Sequence, residues 1–404
     1  MEAQRQREEQ EREERGRKAV REKEEADRKA REEPAARERE QQLQAQEAAQ
    51  PPVQLLAPPQ TNGTTAAALP AQTPAAPEQQ PTATTPPGLV STPAQRKAVH
   101  DRYIALWRHL KLFRRTTEQQ CKDAGFKGLG ELKRSINTQV GMVNKTDKAA
   151  NKLYLTKIEA TLKTAAAIPG PTVDIRPFLL PPTAHALPNP TPPDMNPHYP
   201  AILLYLLHQF AKRALRQLIA EASADTAVAD SLGILIVQIF GRPEYQWHER
   251  SLIDVLWAKY HVLCPQLFGV HAPEPRGGDE EEYYRKVTGL SAGFAAITLR
   301  DFSRARMRNP APNRLWWECM ARILNLPVGA TQVTHYIIVK ACIADFVPRI
   351  LQLFGGAGRA LVAKAVREFP GKGPRVVGGG EMRPAVMALD SLGETLRVRY
   401  GLSL

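Results

Sequence analysis

The residues of this chain best suited to chemistry are basic. Lys127, Lys133 and Arg134 are followed by Lys145, Lys148, Lys152 and Lys157. Lys212 and Arg216 lie four apart in an apolar helical stretch and so share a face, with Arg213 beside them. Lys259 and His261 fall near the end of another such stretch. Each one alone is compatible with an ordinary solvated helix face. As a set on separate helices of one domain, they are candidates to converge on a pocket. Ammonium and guanidinium groups that point together repel one another, and a multivalent anion offsets that repulsion. Arginine supplies planar forks and lysine mobile point charges, a mixture suited to clustered phosphates.

Catalytic patterns are missing by comparison. There is no Gly-rich phosphate loop ending in Gly-Lys-Ser/Thr and no His-Glu-x-x-His. "GLSAG" around Ser291 has the letters of a nucleophile elbow, but no strand precedes it, so it reads as a small-residue helix crossing. "VVGGGEMR" is a glycine-rich loop before the last helix. His109, His208, His261 and His335 are too widely spaced to form a site by themselves and fit packing or surface roles. The four cysteines (Cys121, Cys264, Cys319, Cys342) are too far apart for a disulfide framework or a zinc pattern. Aromatics make up 6% of the chain and fall mostly in apolar stripes rather than among the basic residues. A base-stacking nucleic-acid surface is therefore not indicated, while RNA contact through backbone charge stays open.

The elements that position these residues are helical. Val99, Tyr103, Leu106, Leu110 and Phe113 step by four, three, four and three along one face. Arg108, Lys111, Arg114 and Arg115 lie away from that stripe. Helices are expected over 128–137, 147–166, 202–222, 226–240, 250–263, 282–306, 313–325, 330–353, 356–369 and 383–397, with strand alternation essentially absent. The fold class is all-α, an irregular stack of antiparallel helices without a fixed-period repeat. An internal proline-rich segment at 167–200 interrupts the domain, with Ile175, Phe178, Leu179 and Leu180 as its anchors.

Charge divides the chain further. The formal net charge of +13 is spread unevenly over 404 residues. Residues 1–50 carry 13 basic and 15 acidic side chains and scarcely a large apolar one. Residues 1–48 read as a charged helix, possible end of a coiled coil, and 49–97 as a disordered linker rich in Pro, Thr, Ala and Gln. Residues 98–404 form the helical domain and hold the whole positive excess, which implies an anionic partner. No apolar run reaches the roughly 20 residues that span a bilayer, so membrane insertion is not expected.

Several segments together carry a family resemblance: "LGILIVQIFGRPEYQWHERSLIDVLWAKYHVLCPQLFG", "EEEYYRKVTGLSAGFAAITL" and "NRLWWECMARILNLP". Cys264-Pro265 after an amphipathic helix, Tyr284 and Gly289 opening the next, Phe294–Ile297, and Trp317 ahead of Ala321–Asn325 recur in this order. The chain resembles the C-terminal domain of the GLFG-lethal family of mRNA export mediators at the cytoplasmic face of the nuclear pore. Its proline content suggests a filamentous fungal member.

The resemblance implies a HEAT-like helical fold similar to the middle domain of translation initiation factor 4-gamma. It implies a non-enzymatic regulator that binds a DEAD-box RNA helicase, with inositol hexakisphosphate at the interface, and stimulates ATP turnover and RNA release. A small Phe-Gly nucleoporin, other cytoplasmic-face nucleoporins and indirect contact with mRNA are implied as partners, and so is a link to translation regulation. The implied location is the nuclear pore, with cytoplasm and nucleus on either side. A helical nucleoporin scaffold, or an RNA-binding module without ATPase activation, is the alternative. Carried over residue by residue, "LKRSINTQVGMVNKTDKAANK" places Lys133, Arg134 and Lys152 at phosphate contacts, and "AKRALRQLIAE" adds Lys212 and Arg216. Where the family often has Lys-Lys before Cys-Pro, this chain has Val262 and Leu263, which leaves Lys259 and His261 as candidate replacements.

Overall fold

The computed structural model describes residues 92–180, 196–274, 279–373 and 384–402. The charged segment 1–48 and nearly all of the linker 49–97 lie outside them. Helix α1 (Pro93–Asp123) starts within the stretch whose composition reads as linker. Thr92 explains this: its side chain accepts from the Gln95 N–H while the Gln95 side chain accepts from the Thr92 N–H. Pro93 then occupies a first-turn position where its missing N–H costs nothing. The buried stripe Leu106, Leu110, Phe113, Thr117 and Cys121 continues the spacing seen in the sequence.

Helices α2 (Leu129–Gly141) and α3 (Lys148–Ala167) follow, α3 being capped by Asp147, whose carboxylate accepts from the Ala150 N–H. Two short strands, β1 (Thr172–Asp174) and β2 (His198–Pro200), pair antiparallel with Val173 opposite Tyr199. This pairing was not expected from the sequence; it clamps the two ends of the proline-rich insertion. Ile175, Phe178 and Leu179 are buried and Leu180 is half-buried, so the insertion is anchored at the expected residues. Residues 181–195 lie outside the described part.

Helix α4 (Ala201–Ala220) is the axis of the domain. Every residue from Ala201 to Ala211 is buried, and α1, α2, α3 and three further helices pack around it. Those are α5 (Val228–Gly241), α6 (Asp254–Leu263) and α7 (Glu280–Thr298), the last of which crosses α4 closely. A Cβ on Gly289 would sit 2.3 Å from the Leu218 carbonyl oxygen, so only glycine permits this approach. The "GLSAG" stretch is thus a helix crossing, with Ser291 buried inside α7.

The C-terminal half contains α8 (Arg314–Leu324), α9 (Val333–Ile343), α10 (Val347–Arg367), α11 (Pro384–Asp390) and α12 (Leu392–Tyr400). Two boundaries differ from expectation. The helix expected over 282–306 stops at Thr298, and the Asn313 side chain holds the exit by donating to the carbonyls of Thr298 and Arg300. The span 330–353 is two helices, because Pro348 cannot continue the ladder and restarts it as the second residue of α10. At "GGAG" the expected break is present inside α10: Gly355, at φ +52° and ψ −129°, leaves helical values, so two helical pieces meet there at a kink. No helix of the described residues is long and apolar enough to cross a membrane.

Candidate functional site

Five helices bring their basic residues to one place. Lys212 and Arg216 emerge from the C-terminal half of α4, where the otherwise buried helix first reaches solvent. Lys259 approaches from α6, Lys133 from α2, Lys111 and Arg114 from α1, and Lys286 from α7. Burial pushes the Lys212 ammonium down to about 8, and Arg114, Arg216, Lys133 and Lys259 add repulsion. Burial also lowers Lys259, reinforced by Lys111, Arg216 and Lys286. His208, one turn before Lys212, is 6% exposed. Burial, then Lys212, Arg114 and Lys259, push it down to about 3. The Trp107 ring forms one wall, with the Lys111 ammonium 3.5 Å and the Lys259 ammonium 5.5 Å from its centroid.

The charges of this group go unanswered. Among the described residues, none of Lys111, Arg114, Lys133, Lys212, Arg216, Lys259 and Lys286 has a carboxylate partner. Arg114 Nε, His208 Nδ1 and Gln209 Nε2 are buried without a hydrogen-bond partner. Elsewhere the fold pairs its arginines: Arg242 with Glu159 at 2.5 Å, and Arg300 and Arg349 with Asp230 at 2.6 and 2.5 Å. A half-buried ammonium facing four cations is unfavourable by itself, and a polyanion reverses that balance.

The sequence-derived residues separate into three groups. Lys133, Lys212, Arg216 and Lys259 come together. Arg134 on α2 and Lys152 on α3 are exposed and are not among the cations that lower Lys212 or Lys259. His261 belongs elsewhere. It is 2% exposed, stacked between Tyr103 (4.2 Å, 14°) and Phe268 (3.7 Å, 16°), with its Nδ1 3.1 Å from that of His100. Two residues along a helix is more than half a turn, so His261 faces away from Lys259. Burial, and to a lesser degree His100, push its pKa well below the ordinary value, and it is a neutral core group. Sequence reasoning missed Trp107, Lys111, Arg114 and Lys286 as pocket members. The i, i+4 and i, i+3 spacing of Trp107, Lys111 and Arg114 is the signal that was present.

Buried neutral histidines set the acid stability. His208 is depressed to about 3, His335 to about 4 and His261 well below its ordinary value, each chiefly by burial. Below the unfolded value near 6.5 the unfolded chain protonates these three while the folded chain does not, so stability falls as pH falls. Asp254 opposes them: burial pushes it up to about 6, against hydrogen bonds from the Tyr103 hydroxyl and the Leu180 N–H. Three histidines less one carboxyl leaves a net uptake of about two protons on unfolding between pH 6 and 4. Urea unfolding at pH 7 and pH 5 measures this, and equal midpoints would contradict it.

The comparisons with known proteins fit this architecture. The chain is 32% identical over 340 residues to the mRNA export factor GLE1 of Chaetomium thermophilum. That alignment covers 80% of this chain and 61% of the relative, so the chain spans under two thirds of that protein's length. Among solved structures, it resembles a chain of the S. cerevisiae complex of the Dbp5 C-terminal domain bound to Gle1 and IP6. The TM-score is 0.52, with 15% identity, over 74% of this chain and 96% of that one; at this identity the fold is what is shared. Residues 111–287 and 278–366 match the family model of GLE1-like protein, and the chain belongs to that family.

Proposed function

We propose that this domain is an mRNA export mediator that binds a DEAD-box RNA helicase of the Dbp5 kind. Inositol hexakisphosphate sits in the basic pocket as an interface ligand. The domain does no chemistry of its own; it stimulates ATP turnover and RNA release by its partner. A small Phe-Gly nucleoporin and the cytoplasmic face of the pore complete the setting. The observation that carries this reading is Lys212, half-buried among Arg114, Arg216, Lys133 and Lys259 with no carboxylate partner among the described residues. Phosphate oxygens would satisfy the arginine forks and the mobile ammoniums together. A polyphosphate wider than the pocket leaves outer phosphates free for basic groups of the helicase, joining two like-charged surfaces. Stimulation follows if the domain binds the RNA-releasing arrangement of the helicase lobes more tightly than the RNA-bound one.

The test measures helicase affinity with and without inositol hexakisphosphate at two salt concentrations, alongside ATPase turnover at limiting RNA. The polyphosphate should raise affinity and stimulation together, and salt should weaken both. Equal affinity with and without the polyphosphate removes the interface-ligand role; absent stimulation removes the activator role.

A further inference from the structure

Helix α3 carries Lys148, Lys152, Lys157 and Lys163, all exposed and none among the cations that lower Lys212 or Lys259. At about 100° of turn per residue, Lys148, Lys152 and Lys163 fall within about 60° of arc. Lys157 stands on the opposite edge of the solvent-facing half. Between the two edges runs a strip of mostly small side chains, with Ala149, Leu153, Thr156 and Ala160 exposed along it. From Lys148 to Lys163 the row is about 22 Å long, at about 1.5 Å per residue.

Among the described residues, none of the four lysines has a carboxylate partner. The acids around them are engaged elsewhere. Glu159, the only carboxylate of α3, lies in the same arc as Lys152 but is 14% exposed and held by Arg242 at 2.5 Å. Asp147 caps the helix by accepting the Ala150 N–H at 2.8 Å, and Asp225 pairs with Lys145. On the neighbouring α2, the exposed Glu131 and Arg134 are opposite charges one turn apart. Lys148 and Lys152 also stand at the positive end of the helix, where acidic side chains are the stabilising ones, and the first turn of α3 holds none. An anion lying along the row offsets that placement.

We propose that this face of α3 is a track for single-stranded RNA, with the lysines on phosphates and the threonines on ribose hydroxyls. The threonines choose among anions. Thr156 Oγ1 donates to the Lys152 carbonyl at 3.1 Å, and Thr164 Oγ1 to the Ala160 carbonyl at 3.0 Å. Both side chains are exposed, so with their protons turned inward they offer solvent an acceptor oxygen. A carboxylate or phosphate oxygen has no proton to give them, whereas a ribose 2′-OH does. The row is long enough for about six nucleotides at the roughly 3.4 Å rise of a stacked strand. Alanine, threonine and one leucine let a backbone lie close, and without an aromatic in the strip the contact is blind to base sequence. An anionic membrane would need more apolar insertion than Leu153, 52% exposed, provides.

The experiment titrates the full 404-residue chain against labelled oligouridylate, its deoxy counterpart and phosphatidylserine vesicles, by fluorescence anisotropy and co-sedimentation. Oligouridylate should bind more tightly than the deoxy strand, with log affinity falling against log salt by about 0.7 for each phosphate held. Lys152→Glu/Lys163→Glu should weaken RNA at least about tenfold and flatten that slope by about 1.4, while changing inositol hexakisphosphate affinity less than about threefold. Both sites are exposed and glutamate is a good helix former, so the fold is kept. Thr156→Val keeps the shape and removes the acceptor, and should bring RNA towards the affinity of the deoxy strand. Parent-like RNA binding in the double variant overturns the proposal, as does binding of vesicles without RNA or of neither. Equal affinity for the two strands removes the ribose contact and with it the choice of RNA. RNA binding lost in Lys212→Gln/Arg216→Gln but kept in Lys152→Glu/Lys163→Glu would move the RNA to the basic pocket.

Discussion

The double variant Lys212→Gln/Arg216→Gln is expected to bind inositol hexakisphosphate about a hundredfold more weakly than the parent chain. Each charge-assisted contact to a partly buried phosphate contributes about 1.5–3 kcal/mol. The low end of that range applies because Arg216 is exposed, and the two losses are not strictly additive. Both substitutions also remove repulsion within the empty pocket, so the unliganded variant should melt at the same temperature as the parent or higher. Loss of binding with unchanged or raised stability separates a binding role from a folding role. Single variants Arg134→Gln and Lys152→Gln, which stand outside the field at Lys212, should change affinity less than about threefold. Calorimetric titration decides: parent-like affinity in the double variant would remove the pocket as the polyphosphate site.

The same pocket fixes a pH dependence. Lys212 is held at about 8 by burial and by Arg114, Arg216, Lys133 and Lys259, so the empty pocket loses one positive charge as pH rises through 8. A bound polyanion favours the protonated ammonium and lifts that value. Binding near pH 8 therefore takes up about half a proton, and affinity falls from pH 7 to pH 9. Binding heats in buffers of different ionisation enthalpy report the uptake, and it should vanish in the double variant.

Half of this pocket was legible in the sequence, for local reasons. Lys212 and Arg216 stand out because α4 is otherwise almost wholly apolar, and their spacing of four puts them on one face whatever the helix packs against. Lys259 was legible as the only cation of α6. Spacing puts Lys111 and Arg114 on one face of α1, but that this face and Lys286 reach the pocket depends on how α1 meets α6 and how α7 crosses α4. The α7–α4 crossing rests on Gly289 approaching Leu218, which no periodicity reveals. His261 illustrates the converse. Its nearness to Lys259 in sequence suggested partnership, but helix geometry sends it into an aromatic stack on the other side. The paired strands around the proline-rich insertion escaped notice because three residues per strand carry no alternation worth reading.

Asp230→Ala should destabilise the domain by about 2–4 kcal/mol. Asp230 on α5 accepts from Arg300 at 2.6 Å, and from Arg349 Nη1 and Nη2 at 2.5 and 2.8 Å. Burial alone would raise the Asp230 carboxyl, but the Arg349 hydrogen bond and the charges of Arg300 and Arg349 outweigh it, and its pKa is lowered. Arg300 is the more enclosed guanidinium, with its side chain 10% exposed and its pKa pushed to about 10 mainly by burial. Removing the carboxylate strands two cations at the junction of α5, α7 and α10. The side chains of Asp230 and Arg349 are a third exposed, which moderates the penalty below that of a fully buried pair. A lowered carboxyl contributes stability above its unfolded value near 3.9 and loses it as pH falls through the folded value. The gap between variant and parent should therefore be full at pH 7 and narrow towards pH 3. Adding Arg349→Met to Asp230→Ala should recover part of the loss by removing one stranded cation. Equal urea midpoints for parent and Asp230→Ala at pH 7 would mean that water already screens the junction. The basic pocket around Lys212 draws its cations from α1, α2, α4, α6 and α7 and, among the described residues, none from α5 or α10. Below the melting transition, Asp230→Ala should therefore keep parent-like inositol hexakisphosphate affinity, which distinguishes a loss of scaffold from a loss of site.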